Sequence, residues 1–154
     1  MITDDAARFR RFTRAVFAAH AVVLKYGDVA NAPFGQSSAR WRVLFGASQG
    51  ATTVAAIARA TGYSRQAIQR LADALVSEGL ARYCPDATDR RTQRIELTEA
   101  GQRTLEQLEA NFDMWAARLL TQIGAANLEV ACDALERITA VVQADSAYMQ
   151  RKEQ

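Results

Sequence analysis

Ile57-Ala58-Arg59-Ala60-Thr61-Gly62-Tyr63-Ser64-Arg65-Gln66-Ala67-Ile68 is the stretch on which the fold turns. Thr52 or Thr53 caps a short helix whose Val54, Ile57 and Ala58 face one way. Thr61-Gly62-Tyr63 breaks it, and Gly62 suits the left-handed backbone that a sharp turn demands. Ser64 caps the next helix, where Ala67, Ile68, Leu71, Ala72 and Leu75 form the apolar side. Apolar residues on either side of a three-residue break, with the small Ala58 at the close approach, suit two helices crossing steeply. The pattern is a helix-turn-helix.

The other face of the second helix carries Arg65, Gln66, Gln69, Arg70 and Asp73. Gln66, Gln69, Arg70 and Asp73 fall at i, i+3, i+4 and i+7, which makes one polar stripe. On an isolated helix this is a solvated face. Coupled to the turn it reads as a recognition helix for the major groove, because Gln and Arg can pair with adenine and guanine edges. Gly79 ends the helix, and residues 80–84 read as a short strand. Residues 85–92, Pro-Asp-Ala-Thr-Asp-Arg-Arg-Thr, form a charged hairpin tip, and residues 93–97 return as a strand with Ile95 and Leu97 facing inward. A helix-turn-helix followed by this hairpin is a winged helix, so the chain is expected to be mainly α with a small β-hairpin wing. Asp89 can brace Arg91 for a narrow minor groove, or the two can form a purely structural ion pair.

Outward from this module, both ends of the chain carry heptad-like seams. Phe9, Phe12, Val16, Ala19, Val23 and Tyr26 mark one; Leu105, Leu108, Phe112, Trp115 and Leu119 a second; Leu128, Ala131, Leu135, Ile138 and Val142 a third. Gly27 is read as the end of the first helix, residues 28–36 as a loop, and Gly124 with Asn127 as the break between the last two helices. Ser37 or Ser38 caps a short helix with Trp41, Leu44 and Phe45 on one side. The expected division is a helical dimerisation lobe, 1–36 and 102–154, around a DNA-binding lobe, 37–101. A dimer would cover the seams, and a monomeric bundle remains the alternative. The net charge of +2 conceals a gradient, with +2 over residues 1–39, +5 over 40–94 and −5 over 95–154. Every basic residue in the middle segment is Arg, which suits forked contacts to a polyanion.

Other chemistries lack their residues. There is one His, His20, and no Gly-rich phosphate loop or metal-ligand spacing, so no enzyme, cofactor or metal is expected. His20 beside an apolar seam is more simply a packed or interfacial residue. Cys84 and Cys132 are too few and too distant for a disulfide framework, and neither has an activating cluster. No apolar run reaches the ~20 residues of a membrane helix, and no secretory leader is evident, so no membrane role and a cytoplasmic location are expected.

Residues 64–71, then Leu75, Glu78-Gly79-Leu80, Asp86-Ala87-Thr88-Asp89-Arg90-Arg91 and Leu97-Thr98-Glu99-Ala100-Gly101, resemble the recognition helix, wing and following helix start of the MarR family of transcriptional regulators. Arg40-Trp41-Arg42-Val43-Leu44 is similar to the opening of that family's DNA-binding lobe. The resemblance implies a homodimer on a pseudo-palindromic operator, usually a repressor, often released by a small phenolic or other anionic effector. It also implies an effector pocket built from the first, second and fifth helices, for which His20, Trp41, Phe45, Met114, Trp115 and Arg118 are candidates. Each aromatic at these positions is more simply read as core, and Arg118 is the sharper candidate, since a cation near an apolar junction suits a carboxylate or phenolate. The candidate DNA contacts are Thr53, Ser64, Arg65, Gln66, Gln69, Arg70, Asp89, Arg90 and Arg91. Two other readings are an architectural DNA-binding protein without an effector and a winged-helix module that binds protein. The Gln/Arg stripe argues against the first, since phosphate contacts alone do not call for Gln, and the arginines at the wing tip argue against the second.

The wing and the recognition helix are expected to fail differently. Arg91→Ala should weaken binding to many duplexes alike, since minor-groove readout is degenerate, and Asp89→Ala should imitate it in part. Loss of Gln66, Gln69 or Arg70 should cost roughly 1–3 kcal/mol and relax preference at one base pair. Affinities of each variant for operator and scrambled DNA at fixed salt decide this; an intact Arg91→Ala protein with both affinities unchanged would refute the wing contact.

Overall fold

The computed structural model describes residues 2–49, 52–85 and 92–152. Its elements in order are α1 (Ile2–Asn31), a 3-10 turn (Ala32–Phe34), α2 (Ser38–Ser48), β1 (Thr52–Thr53), α3 (Val54–Thr61) and α4 (Arg65–Ser77). β2 (Ala81–Pro85), β3 (Gln93–Leu97), α5 (Glu99–Ile123) and α6 (Ala125–Lys152) follow. Two compact units result, Met1–Phe112 and Asp113–Gln154. The first is a winged helix: α2, α3 and α4 stand on a small antiparallel sheet of order β1-β3-β2. In the second, α6 carries Leu128, Val130, Leu135, Val141 and Val142 exposed.

The caps of the helix-turn-helix form as the sequence predicts. The Thr53 hydroxyl accepts from Ala56 N–H at the start of α3, and the Ser64 hydroxyl accepts from Ala67 N–H at the start of α4, both at 3.1 Å. Gly62 adopts φ 73° between the helices. From α4, Ile68, Ala72 and Leu75 are fully buried against Val43 and Leu44 of α2, Ile57 of α3, Ile95 of β3 and Leu105 and Leu108 of α5. The β2–β3 register sets Ala81 opposite Leu97, Tyr83 opposite Ile95 and Pro85 opposite Gln93.

Three local expectations are revised. α1 does not stop at Gly27 but runs on to Asn31. A Cβ at Gly27 would lie 2.3 Å from Ser38 Oγ, so this glycine permits close contact with the start of α2 rather than breaking the helix. The contact is polar: Ser38 Oγ–H donates to the Leu24 carbonyl at 3.0 Å, and Asp28 Oδ1 accepts from Ser38 N–H at 2.8 Å. Phe45 does not join Leu44 in the core; it is 42% exposed, with its ring 5.7 Å from that of Trp41. The hairpin also gains a third strand, because Thr52 and Thr53 pair with Ile95 and Arg94.

The end of α4 is tied to the start of α5 through Leu80. Gly79 at φ 73° lets Leu80 N–H reach back to the Leu75 carbonyl and its own N–H to the Val76 carbonyl, the Schellman arrangement. The Leu80 carbonyl accepts from Thr98 N–H at 3.1 Å, while Thr98 Oγ1 donates to the Gly79 carbonyl at 2.7 Å and accepts from Gly101 N–H at 3.1 Å. Arg40 of α2 forks onto Glu78 at the same corner, with Nη1 2.8 Å from Oε1, and these hydrogen bonds hold the Glu78 carboxyl below its ordinary pKa.

Gly101 packs directly on the Leu80 carbonyl: a Cβ there would stand 1.9 Å from that oxygen. Backbone is met on both sides, so no rotamer relieves the clash. Gly101→Ala should destabilise the protein by roughly 1–3 kcal/mol, read as a lower denaturant midpoint at unchanged slope. An unchanged midpoint would show that the corner is looser than described.

Candidate nucleic-acid interface

Burial of one side of α4 dictates what its other side displays. With Ile68, Ala72 and Leu75 turned inward, Arg65, Gln66, Gln69, Arg70 and Asp73 are all exposed. An open groove of about 770 Å³ runs alongside, lined by Thr53, Val54, Ala55, Arg65, Gln66, Gln69, Tyr83, Thr92 and Gln93. Four of the sequence-predicted DNA contacts thus share one concavity: Thr53, Arg65, Gln66 and Gln69. Ser64 and Arg70 are on or beside the same helix, exposed but outside the lining. The hydroxyls of Thr53 and Ser64 act as cap acceptors, which leaves each O–H hydrogen available to a phosphate. Asp89, Arg90 and Arg91 lie outside the described residues.

Tyr83, which the sequence offers only as a strand residue, proves to be part of this surface. Its hydroxyl donates to Asp73 Oδ1 at 2.6 Å and accepts from Gln69 Nε2 at 2.8 Å. Gln69 Nε2 also donates to Asp73 Oδ1, at 2.9 Å. Hydrogen bonds from Tyr83, then from Gln69, hold the Asp73 carboxyl below its ordinary pKa. Partial burial, reinforced by the Asp73 carboxylate, pushes the Tyr83 phenol up to about 12. The only sequence hint was the i, i+4 spacing of Gln69 and Asp73; bringing a strand residue over them requires the fold.

Around this surface the basic side chains have different attachments. Arg82 pairs with Glu96 across β2 and β3 at 3.0 Å, and Arg42 lies over the Tyr63 ring at 5.5 Å from its centroid. The Cys84 thiol is half-buried and donates to Glu96 Oε2 at 3.3 Å. Of the effector candidates, His20 is exposed on α1, and Trp41 on α2 is half-buried and stacked on Phe112 with 6.1 Å between ring centroids. The Trp41 Nε1–H is buried with no hydrogen-bond partner among the described residues. Trp115, half-buried, and Arg118, exposed, belong to the other compact unit. Among the described residues no group of His, Cys, Asp or Glu is gathered to hold a metal, and no helix is long and apolar enough to cross a membrane.

Comparison with known proteins agrees with this architecture. A family model described as MarR family matches residues 35–92. Among curated relatives, the uncharacterized protein Rv2011c of Mycobacterium tuberculosis is 32% identical over 144 residues, spanning 94% of this chain and 99% of that protein. The transcriptional regulator BldR of Sulfolobus solfataricus superposes with a TM-score of 0.79 at 19% identity, over 86% of this chain and 95% of its own. CouR of Rhodococcus jostii, solved with p-coumaroyl-CoA, gives 0.73 at 26% identity, over 80% and 88%. The transcriptional repressor CouR bound to a 23-mer DNA duplex gives 0.74 at 24% identity, over 81% and 89%.

The raised Tyr83 pKa has a measurable consequence. A phenol that keeps its proton longer when folded than when unfolded stabilises the fold fully below pH 10, and that contribution is lost as pH rises toward 12. Ultraviolet titration of the folded protein should therefore show a late tyrosine ionisation near pH 12 that Tyr83→Phe removes. If the variant instead lacks an ionisation near pH 10, the Tyr83–Asp73 bond does not persist in solution.

Proposed function

The chain belongs to the MarR family, and from that premise we propose that it is a sequence-specific, DNA-binding transcriptional repressor acting as a homodimer in the cytoplasm. The observation that carries the reading is α4: its apolar side is fixed in the core, and its Arg/Gln side is displayed beside an open groove. Arg65, Gln66, Gln69 and Arg70 are the proposed base-edge readers. Thr53 and Ser64 are proposed to donate to phosphates, and Arg90 and Arg91, with Asp89 as brace, to reach the minor groove. This supports a reader of sequence over an architectural protein, for which phosphate contacts alone suffice.

The dimer reading rests on apolar side chains that a lone chain leaves in water. On α1, Phe9, Phe17, Val22, Val23 and Val29 are all more than half exposed, and α6 displays Leu128, Val130, Leu135, Val141 and Val142. Helices with this much exposed apolar surface call for a partner of the same kind. The proposed dimerisation lobe therefore takes residues 1–36 and 102–154, and the DNA-binding lobe residues 37–101. A small anionic or phenolic effector is proposed as the release signal. CouR, a relative by fold, was solved with an acyl-CoA. In this chain the unpartnered Trp41 indole N–H could donate to a carboxylate or phenolate oxygen. His20, Trp115 and Arg118 are proposed as further effector contacts on chemical grounds.

Light scattering at micromolar concentration should give twice the chain mass, and charge introduced at Phe12 or Leu135 should release monomers that no longer bind DNA. On an operator taken from DNA flanking the gene, the footprint should cover two half-sites ~10 base pairs apart, and affinity should fall steeply with salt as arginines displace counterions. A wild-type monomer, or protection of a single half-site, counts against the dimer; salt-insensitive binding counts against the phosphate contacts.

A further inference from the structure

The two glutamines of α4 are held differently. Gln66 makes no hydrogen bond among the described residues, so its amide must be ordered by whatever it meets. The Gln69 amide is ordered already. Its Nε2, the Tyr83 hydroxyl and Asp73 Oδ1 form a nearly equilateral triangle with edges of 2.8, 2.6 and 2.9 Å. Seen from Nε2, the two acceptors subtend about half the angle between the two N–H bonds of a planar amide. One hydrogen is therefore shared between them, and the other stays free beside the carbonyl oxygen. That oxygen has no partner among the described residues. The exposed edge of the group thus keeps one donor and one acceptor, while two bonds restrain its rotation. The hydrogen bonds that keep Asp73 ionised also keep it an acceptor for both neighbours.

We propose that Tyr83 and Asp73 are positioning residues that pre-orient the Gln69 amide for adenine, so that a strand residue of the wing sets part of the sequence preference of α4. In the major groove only adenine presents a ring acceptor, N7, beside an amino donor, N6, and this is the complement of an N–H beside a carbonyl oxygen. An amide already held gives up less freedom on binding. The gain applies only where the base matches, so orientation sharpens preference at one position rather than raising affinity for every duplex. The inference rests on the reading of α4 as the helix that enters the major groove. It gives Tyr83 a part in specificity without any contact to DNA.

Selection from a random duplex library at one salt concentration locates the position, as the one that Gln69→Ala flattens. Wild type should prefer adenine there, and 7-deazaadenine, which lacks the ring acceptor, should weaken its binding about 3- to 10-fold. Tyr83→Phe keeps the ring and removes the hydroxyl; it should lower the adenine preference at that position about 3- to 10-fold, the cost of ordering one free side chain. Tyr83→Phe/Asp73→Ala should lower it further, whereas Asp73→Asn, whose amide oxygen still accepts, should keep most of it. In a Gln69→Ala background, Tyr83→Phe should change nothing at this position. A preference undiminished in the double variant would overturn the proposal, as would a loss of affinity for all duplexes alike; either leaves Tyr83 a plain brace between α4 and β2. Wild-type binding indifferent to 7-deazaadenine at the Gln69 position would overturn it as well. No enrichment by wild type at all would instead remove the DNA-reading function on which the inference stands.

Discussion

Complete burial of Ile68, Ala72 and Leu75 fixes how α4 is rotated about its axis, and the display surface follows from that rotation. An α-helix turns 100° per residue, so a slip of one position would carry Gln69 and Asp73 into the core and move Ile68 and Leu75 out to its half-exposed edge. Burying an unpaired amide or a carboxylate costs several kcal/mol, and half-exposing two large aliphatic side chains adds to it. The rotation is therefore held by two penalties of the same sign. Leu44, Ile57, Ile95, Leu105 and Leu108 close the seam from four other elements, so the readout face is set by the whole of this core.

The corner at Leu80 converts that rotation into a position for the wing. Leu80 ends the Schellman turn of α4, begins the chain into β2, and gives its carbonyl to Thr98 at the head of α5. Gly101 is bare because the same carbonyl occupies the space its side chain would need. The Leu-Thr-x-x-Gly spacing thus has a mechanical reading: Thr98 supplies the cap and Gly101 the clearance. Arg40 forking onto Glu78 braces the corner from α2. Tyr83 lies three residues beyond this fixed point, close enough for its hydroxyl to reach α4 at hydrogen-bond distance.

Much of this was legible in the sequence because it is local. Thr53, Gly62 and Ser64 announce helix ends through their own backbone chemistry, and the alternation of 93–97 gives the second wing strand to the residue. What was not legible depends on a partner distant along the chain. Gly27 has the composition of a helix stop, and only Ser38, eleven residues on, reveals it as a clearance. β1 is two residues long, too short for any periodicity, and exists because β3 offers it an edge. Tyr83 follows the same rule: its strand was readable, but its hydrogen bonds to Gln69 and Asp73 were not.

Reading the polar stripe from composition also misses chemistry within it. Arg65, Gln66 and Arg70 count as donors or mixed groups and remain so, being exposed with no side-chain hydrogen bond or ion pair among the described residues. Gln69 differs from them in having its amide nitrogen held by the Tyr83 hydroxyl and Asp73, which fixes the orientation of the group. Asp73 adds a carboxylate to a face that must approach phosphates, a cost that two hydrogen bonds to one of its oxygens lessen by spreading the charge. A carboxylate retained on a DNA-facing helix makes physical sense where it organises a neighbour. On that argument Asp73 belongs to the recognition surface through Gln69, whose amide nitrogen it holds together with Tyr83.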